Sequence, residues 1–441
     1  MRTNTQHYGD HFILTADIDL AGYTFTTAMI APDTDSADYA FNGTSFNGTF
    51  DGAGHVIRNL VIAGGEAGND HVGLFGFIDG GEVRNLGLEG GSISGYAYVG
   101  GLIGQNYDGT LTACYATGSI TGGEHVGGLV GANYEGTLAS CYATGSINGT
   151  ALYVGGVMGS NYDGTLTSCY ATGSVSGTAY FVGGLVGQNL GTIEFSDATG
   201  PVTGSSYVGG LVGENVDTIS SCYATGPVAG SVCIGGLVGI NCGPITSCHA
   251  TGSVTGSFCV GGLVGESSSP GIISSCYATG DLSGTEGVDI GSVGGLVGVN
   301  GGSIMSCHAS GMVTVKGGPV GGLVGENSGP ITSCYAEGVV NASWTAGGLV
   351  GTNNVGPITY CYATGTATGT GGSVGGLVGE NLVGAIVSCY ATGVVDNNVV
   401  DDYGSAIVGG LVGHNYHGTI NSFYATGAVH GTHNMEHHRP V

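Results

Sequence analysis

The sequence predicts an all-β chain wound as a single-stranded parallel β-helix, a β-solenoid of about 13 coils of 26–31 residues each. Three observations predict it. One stretch of sequence recurs from Tyr98 onward. Strand-sized apolar pieces lie between glycines in every copy. Apolar, amide, thiol and aromatic residues return at fixed places, so stacking the copies turns each place into a column.

The recurring unit is plain in Val99–Gly122 (VGGLIGQNYDGTLTACYATGSITG) and again in Val126–Gly149 (VGGLVGANYEGTLASCYATGSING). Twelve full copies run to Val408–Gly431, usually 26 to 28 residues apart, and a degenerate copy, Val72–Gly95, precedes them. Each copy reads as three short strands: GGLVG, the stretch from GTI through CYATG, and the S-V-x-G piece. No segment carries helical periodicity. The Gly-Gly pairs and the Asn-x-Gly stretches are expected to supply the corners, because Gly and Asn tolerate positive φ.

Stacked coils place equivalent residues about 4.8 Å apart, so thirteen coils predict a length of roughly 60 Å. Two aliphatic columns form the expected core. One runs from Leu111 and Leu138 to Ile386 and Ile420, the other from Leu102 and Leu129 to Leu377 and Leu411. An amide column runs from Asn106 to Asn415, broken by Ser267, and stacked amides can pass hydrogen bonds along the axis. Residues 1–71 keep strand character but lose the repeat, and read as an N-terminal cap with the first irregular coils. Residues 72–431 are the solenoid, and 432–441 a C-terminal tail with a His cluster. The crossover rule for parallel strands favours a right-handed coil.

Composition excludes several functions. The chain has 31 acidic and 5 basic residues, a formal net charge of -26, so it offers no basic stripe for nucleic acid and no attraction to anionic membranes. No apolar run is long enough to span a bilayer. With 94 Gly but only 9 Pro and no Gly at every third position, collagen is excluded. The opening MRTNTQHYGDHF lacks the apolar core of a signal peptide, so a secreted protein would have lost its signal, be an excerpt of a longer chain, or use another route.

GGLVGxN followed by G-x-I-x-x-CYATG resembles the repeat of the GLUG-motif family. The lead-in LTADIDL (Leu14–Leu20), GTFDGAGH (Gly48–His55) and VGLFG (Val72–Gly76) resembles what precedes such repeats in bacterial surface proteins. The resemblance covers Leu14 to about Gly431. It implies a β-solenoid and a secreted or surface setting, as in adhesins and the N-terminal regions of IgA-cleaving metallopeptidases, and it implies no catalytic site.

Three sets of residues are candidates for chemistry. Ten of the 13 cysteines fall in one column that also accepts Ser196 and Phe423, which reads as buried free thiols. Cys233 and Cys259 stand apart, each just before a V/I-G-G corner and 26 residues from one another; they are the disulfide candidate, and no C-x-x-C spacing suggests zinc. Beside the Cys column runs an aromatic one, Tyr115, Tyr142, Tyr170, Tyr223 and Tyr277 among its members. Alternation places it on the opposite, outward face, where it either binds a sugar or partner surface or simply stabilises the ladder. Asp108, Glu135 and Asp163 occupy the same turn of three successive coils and form a candidate Ca2+ site, or a solvated acidic edge; the acidic loop Asp396–Asp402 is a second.

The repeat body from Gly95 to Gly431 holds one Lys and no Arg, and no nucleophile–base order suggests itself, so no catalytic residue is assigned. The expected function is a non-catalytic extracellular or cell-surface structural and adhesive rod, without an obligatory cofactor. Two alternatives stand beside it: a fibre subunit that stacks head-to-tail on itself, and a calcium-dependent carbohydrate-binding or carbohydrate-active β-helix. The expected partners are a surface glycan, a host protein or another copy of the chain.

Overall fold

The structure is a computed structural model, and it describes residues 5–35, 39–64, 70–178, 180–284, 291–398 and 407–431. The C-terminal tail and Asp401 and Asp402 of the acidic loop lie outside these residues. The chain divides into two compact units, Met1–Gly230 with Leu237–Cys248, and Ser231–Gly236 with His249–Val441. Among the described residues there is one short 3-10 turn, Thr5–His7, and no α-helix. Each unit is a parallel β-solenoid.

In the first unit the coil that begins at Glu124 shows the plan. It consists of Glu124–Gly127, Val130–Tyr134, Thr137–Ala139, Tyr142–Ala143 and Ile147–Gly149. Each piece pairs in parallel, and in strict register, with the same piece one coil back and one coil on: Val126 lies between Val99 and Val154, Asn133 between Asn106 and Asn161. The pieces thus build four parallel sheets, the second and third pieces sharing one. The second unit repeats this with, for example, Val320–Gly321, Val324–Asn327, Ile331–Thr332, Tyr335–Ala336 and Val340–Ala342.

A coil therefore holds five short strands rather than the expected three. One extra break splits the expected G-G-L-V-G strand after its first glycine, and the other falls one residue before the cysteine column. Ala113, Ser140, Ser168, Phe195 and Ser221 in the first unit, and Ser275, Ser333 and Tyr360 in the second, all take φ between 50 and 55°. One left-handed residue turns the chain and ends the strand. The expectation for Gly-Gly also needs correction. Neither glycine of the pair has positive φ. They are glycines for want of space: a Cβ on Gly128 would collide with the carbonyl of Gly156 in the next coil and with the Ala143 side chain.

The core is the predicted one. Leu102, Leu129, Leu111 and Leu138, and in the second unit Leu323, Leu349, Ile331 and Ile358, are fully buried. Beside them the amide column forms a hydrogen-bonded chain. Asn106 Nδ2 donates to Asn133 Oδ1 (2.7 Å), Asn133 to Asn161 (2.9 Å), Asn161 to Asn189 (3.0 Å) and Asn189 to Asn215 (2.9 Å). The second amide hydrogen of each goes to a carbonyl of its own turn, Asn133 to Gly136 and Asn161 to Gly164. In the second unit the chain runs Asn300, Asn327, Asn353, Asn381 and Asn415, each step 2.8 Å. Because all donors point the same way, the first amide of each run has an acceptor without a donor. Asn106 Oδ1 and Asn300 Oδ1 are both buried and unpaired, and so is the hydroxyl of Ser267, which precedes Asn300.

The short strands between His11 and Ala63 already follow this register. His11–Ile13 pairs with Thr49–Asp51, which pairs with Glu82–Arg84, and Ile18–Asp19 pairs with Val56–Arg58. Two of the five basic residues are used here. Arg58 bridges Asp17 and Glu89, and Arg84 bridges Asp51 and Glu82, at 2.8–3.0 Å.

Two substitutions test the amide chain. Asn161→Ala removes two donors and one acceptor, leaving buried groups unpaired at about 1–3 kcal/mol each. Denaturant unfolding is expected to show a loss of at least about 3 kcal/mol. Ser267→Asn supplies the missing donor to Asn300 Oδ1 and is expected to stabilise the protein by about 1 kcal/mol.

Candidate functional site

Strict register makes every exposed column a row of like groups. The most extensive is the ring column that follows the cysteine. In the first unit Tyr115, Tyr142 and Tyr170 stack at 4.8 and 4.7 Å with their planes within 5°. In the second, His249, Tyr277, His308, Tyr335, Tyr362, Tyr390 and Tyr424 stack without interruption at 4.7–5.2 Å and within 11°. The rings are half-buried or exposed while the neighbouring cysteines are buried, as alternation requires. The remaining predicted member, Tyr223, is separated from Tyr170 by Asp197 in the coil between them.

The geometry decides how this column can be used. At these spacings the ring faces cover one another, so a sugar has no free face to stack on. What solvent meets is a row of ring edges and hydroxyls, one per coil. Their protonation is firmly phenolic where acids adjoin. Burial and a 2.8 Å hydrogen bond to Glu89 push the Tyr115 pKa up to about 12. Burial and Asp197 raise that of Tyr223.

A second ring column lies at the residue before V-G-G, and the sequence reading overlooked it. His71, Tyr98, His125, Tyr153, Phe181 and Tyr207 stack at 4.8–5.4 Å. All six take left-handed φ between 50 and 59°. The signal was available, since an aromatic or His precedes V-G-G in five successive copies from Tyr98 to Tyr207. Each side chain here can reach one coil onward to the residue before the ladder Asn: His71 Nε2 meets Gln105 Oε1 at 2.7 Å, and His125 Nδ1 meets Ser160 Oγ at 2.6 Å.

In the second unit Cys233 and Cys259 occupy this same position, with φ of 54 and 53°. They are neighbours in successive coils, as their spacing predicts, and both are free thiols. With Glu266 they form a group whose ligand atoms all lie within 4.8 Å, the one such group of three among the described residues. Asp108, Glu135 and Asp163 are not gathered in this way. They take left-handed φ in successive turns, and their side chains stand exposed in a row.

The ten column cysteines are buried and none forms a disulfide. Each thiol is held by backbone: Cys334 Sγ donates to Thr332 O and accepts from the N–H of Cys307, and Cys361 Sγ repeats this with Thr359 and Cys334. Ser196 makes the same contacts with its hydroxyl, to Glu194 O and from Cys169 N–H, which explains why serine can stand in.

Four parallel sheets wound from one short repeat define the protein as a parallel β-solenoid. Six stretches, residues 95–121, 122–148, 150–176, 204–228, 256–283 and 290–316, match the family model of the GLUG motif. The chain carries GLUG-motif repeats across residues 95–316. No curated protein matches it significantly in sequence. Among solved structures it is similar to a chain described as a putative immunoglobulin A1 protease from Bacteroides ovatus, at 21% identity, covering 71% of this chain and 75% of that one, with a TM-score of 0.23.

The second ring column carries a pH dependence. His125 is buried between Tyr98 and Tyr153, and burial lowers its pKa from 6.5 to about 4. On acidification the unfolded chain takes up this proton first, so stability present above about pH 6.5 is lost as pH falls toward 4. Unfolding measured near pH 5 is expected to show about 2 kcal/mol less stability than at neutral pH from this group. His125→Phe, which keeps a ring in the stack, is expected to abolish that share.

Proposed function

We propose that the protein is a non-catalytic structural and adhesive solenoid that works outside the cell or at its surface. The observation that carries the reading is the uninterrupted seven-ring column from His249 to Tyr424, which presents a hydrogen-bonding edge once per coil. Such a row fits a partner with its own linear repeat, an extended glycan or the surface of a host protein. It binds through many weak, equally spaced contacts rather than through one pocket. The resemblance of the repeats to those of bacterial surface proteins supports the setting, and the acidic surface supports solubility there. The non-catalytic reading is supported by the thiols and amides, which are committed to backbone and to one another, and by rings that cover one another.

The calcium-dependent reading has less support, because Asp108, Glu135 and Asp163 do not converge on one point. Binding is therefore expected to survive chelation.

The test is a screen of immobilised glycans and extracellular host proteins with the full chain and with Tyr335→Ala/Tyr362→Ala. The column already accepts His249 and His308 in place of Tyr, so the variant is expected to fold. Retained binding that falls at least about tenfold in the double variant supports the ring edge as the contact surface. Undiminished binding by the variant would sink it. Filaments of the purified chain under the electron microscope, with no binding to either class, would favour self-assembly.

A further inference from the structure

The ten column cysteines are accounted for by packing, but Cys233 and Cys259 are not. They sit where the other coils of the second unit place Ser292, Pro319, Thr345, Ser373 and Ile407. At that position a side chain can reach the residue that follows L-V-G, three places beyond its leucine. Ser292 Oγ donates to Glu326 Oε2 at 3.1 Å, and Ser373 Oγ to Glu380 Oε1 at 3.0 Å. Hydroxyl and carboxylate are thus the ordinary pair. Among the described residues, only at Cys233 and Cys259 do two thiols from successive coils meet one carboxylate: Cys233 Sγ lies 3.4 Å from Glu266 Oε2, and all three ligand atoms fall within 4.8 Å. The other carboxylate oxygen is fixed by the Ser268 hydroxyl at 3.1 Å, an arrangement that orients Glu266 toward the thiols.

We propose that Cys233, Cys259 and Glu266 bind one thiophilic divalent cation, zinc before any other, with solvent in the fourth position. The donor set is right for it, since two soft thiolates and one carboxylate select zinc over calcium or magnesium. So is the span. Tetrahedral zinc with bonds of about 2.0–2.3 Å needs ligand atoms roughly 3.5–3.8 Å apart, so a small inward movement of the side chains closes the site. Both cysteines have the same left-handed backbone and are paired in register, so their Cβ vectors run side by side. Parallel vectors suit convergence on one ion better than the near-perpendicular dihedral of a disulfide. Cys233 is buried, while Cys259 and Glu266 are partly exposed, which leaves an approach for the ion. Binding sends the thiol protons to solvent and leaves a net charge near -1 on the two thiolates, the carboxylate and the ion. Affinity therefore rises with pH. No C-x-x-C spacing announces the site, because its two sulfurs are one coil apart in sequence.

The experiment uses the full chain, reduced and freed of metal by chelation, titrated with zinc and with cadmium. Cadmium bound to thiolate gives an ultraviolet charge-transfer absorption. The expected result is one ion per chain, a rise in thermal midpoint, proton release, and a cadmium–thiolate absorption. Cys233→Ser and Cys259→Ser are each expected to lose the stoichiometric ion, and Glu266→Gln to weaken it at least about tenfold. Cys242→Ser and Cys141→Ser, which alter thiols outside the cluster, are expected to leave binding unchanged. Stoichiometric binding that survives Cys233→Ser, absence of binding to the folded chain, or a Cys233–Cys259 disulfide in protein isolated without reductant would each overturn the proposal.

Discussion

In the described coils each strand residue is seated on the equivalent residue of the next coil, about one strand spacing away. Parallel in-register pairing leaves no choice of partner, so a column can hold only groups that tolerate themselves. Aliphatic side chains do. Amides do, because each carries both donors and an acceptor. Thiols do, with the backbone supplying the complementary groups. Planar rings do, face to face. Charged groups do not, since like charges a few ångströms apart repel unless water or an ion intervenes. A chain only 8% charged follows from this constraint. So does the repeat itself, because a residue suited to one coil is suited to the next.

The columns could be read from the sequence because the repeat gives their register directly. Once Leu111 is aligned with Leu138 and Asn106 with Asn133, burial and hydrogen bonding follow with little freedom. The corners were harder. Gly-Gly looked like a turn, because glycine is the usual residue for positive φ. Here the tight approach of Gly128 to the next coil requires glycine, and the left-handed positions fall to Ser140, Ser168 and Tyr360. Nothing local marks Ser in A-S-C-Y or T-S-C-Y as left-handed. That conformation is imposed by the pairing on both sides of it.

The candidate sites were legible in proportion to how far they depend on a single column. The outward face of Tyr115 and Tyr142 follows from alternation beside Cys114 and Cys141. The ring column from His71 to Tyr207 went unread because its residue type varies among His, Tyr and Phe, and identity was the guide. Glu266 was out of reach for another reason. Its proximity to Cys233 depends on how far a side chain extends from one coil to the next, and a period alone does not contain that distance.

The buried thiol column has a consequence for how the chain comes to be folded. In the native protein each of its ten sulfurs is shielded and held by backbone, out of reach of an oxidant. Unfolded in an oxidising compartment, the same ten groups are chemically equivalent, and they can pair in on the order of a thousand ways, none of them native. Folding there is a race. A coil that closes on its neighbour takes its thiol out of the contest permanently, whereas a chain that opens under stress is liable to be locked open. Durability for such a molecule rests on how rarely it unfolds, more than on how readily it refolds.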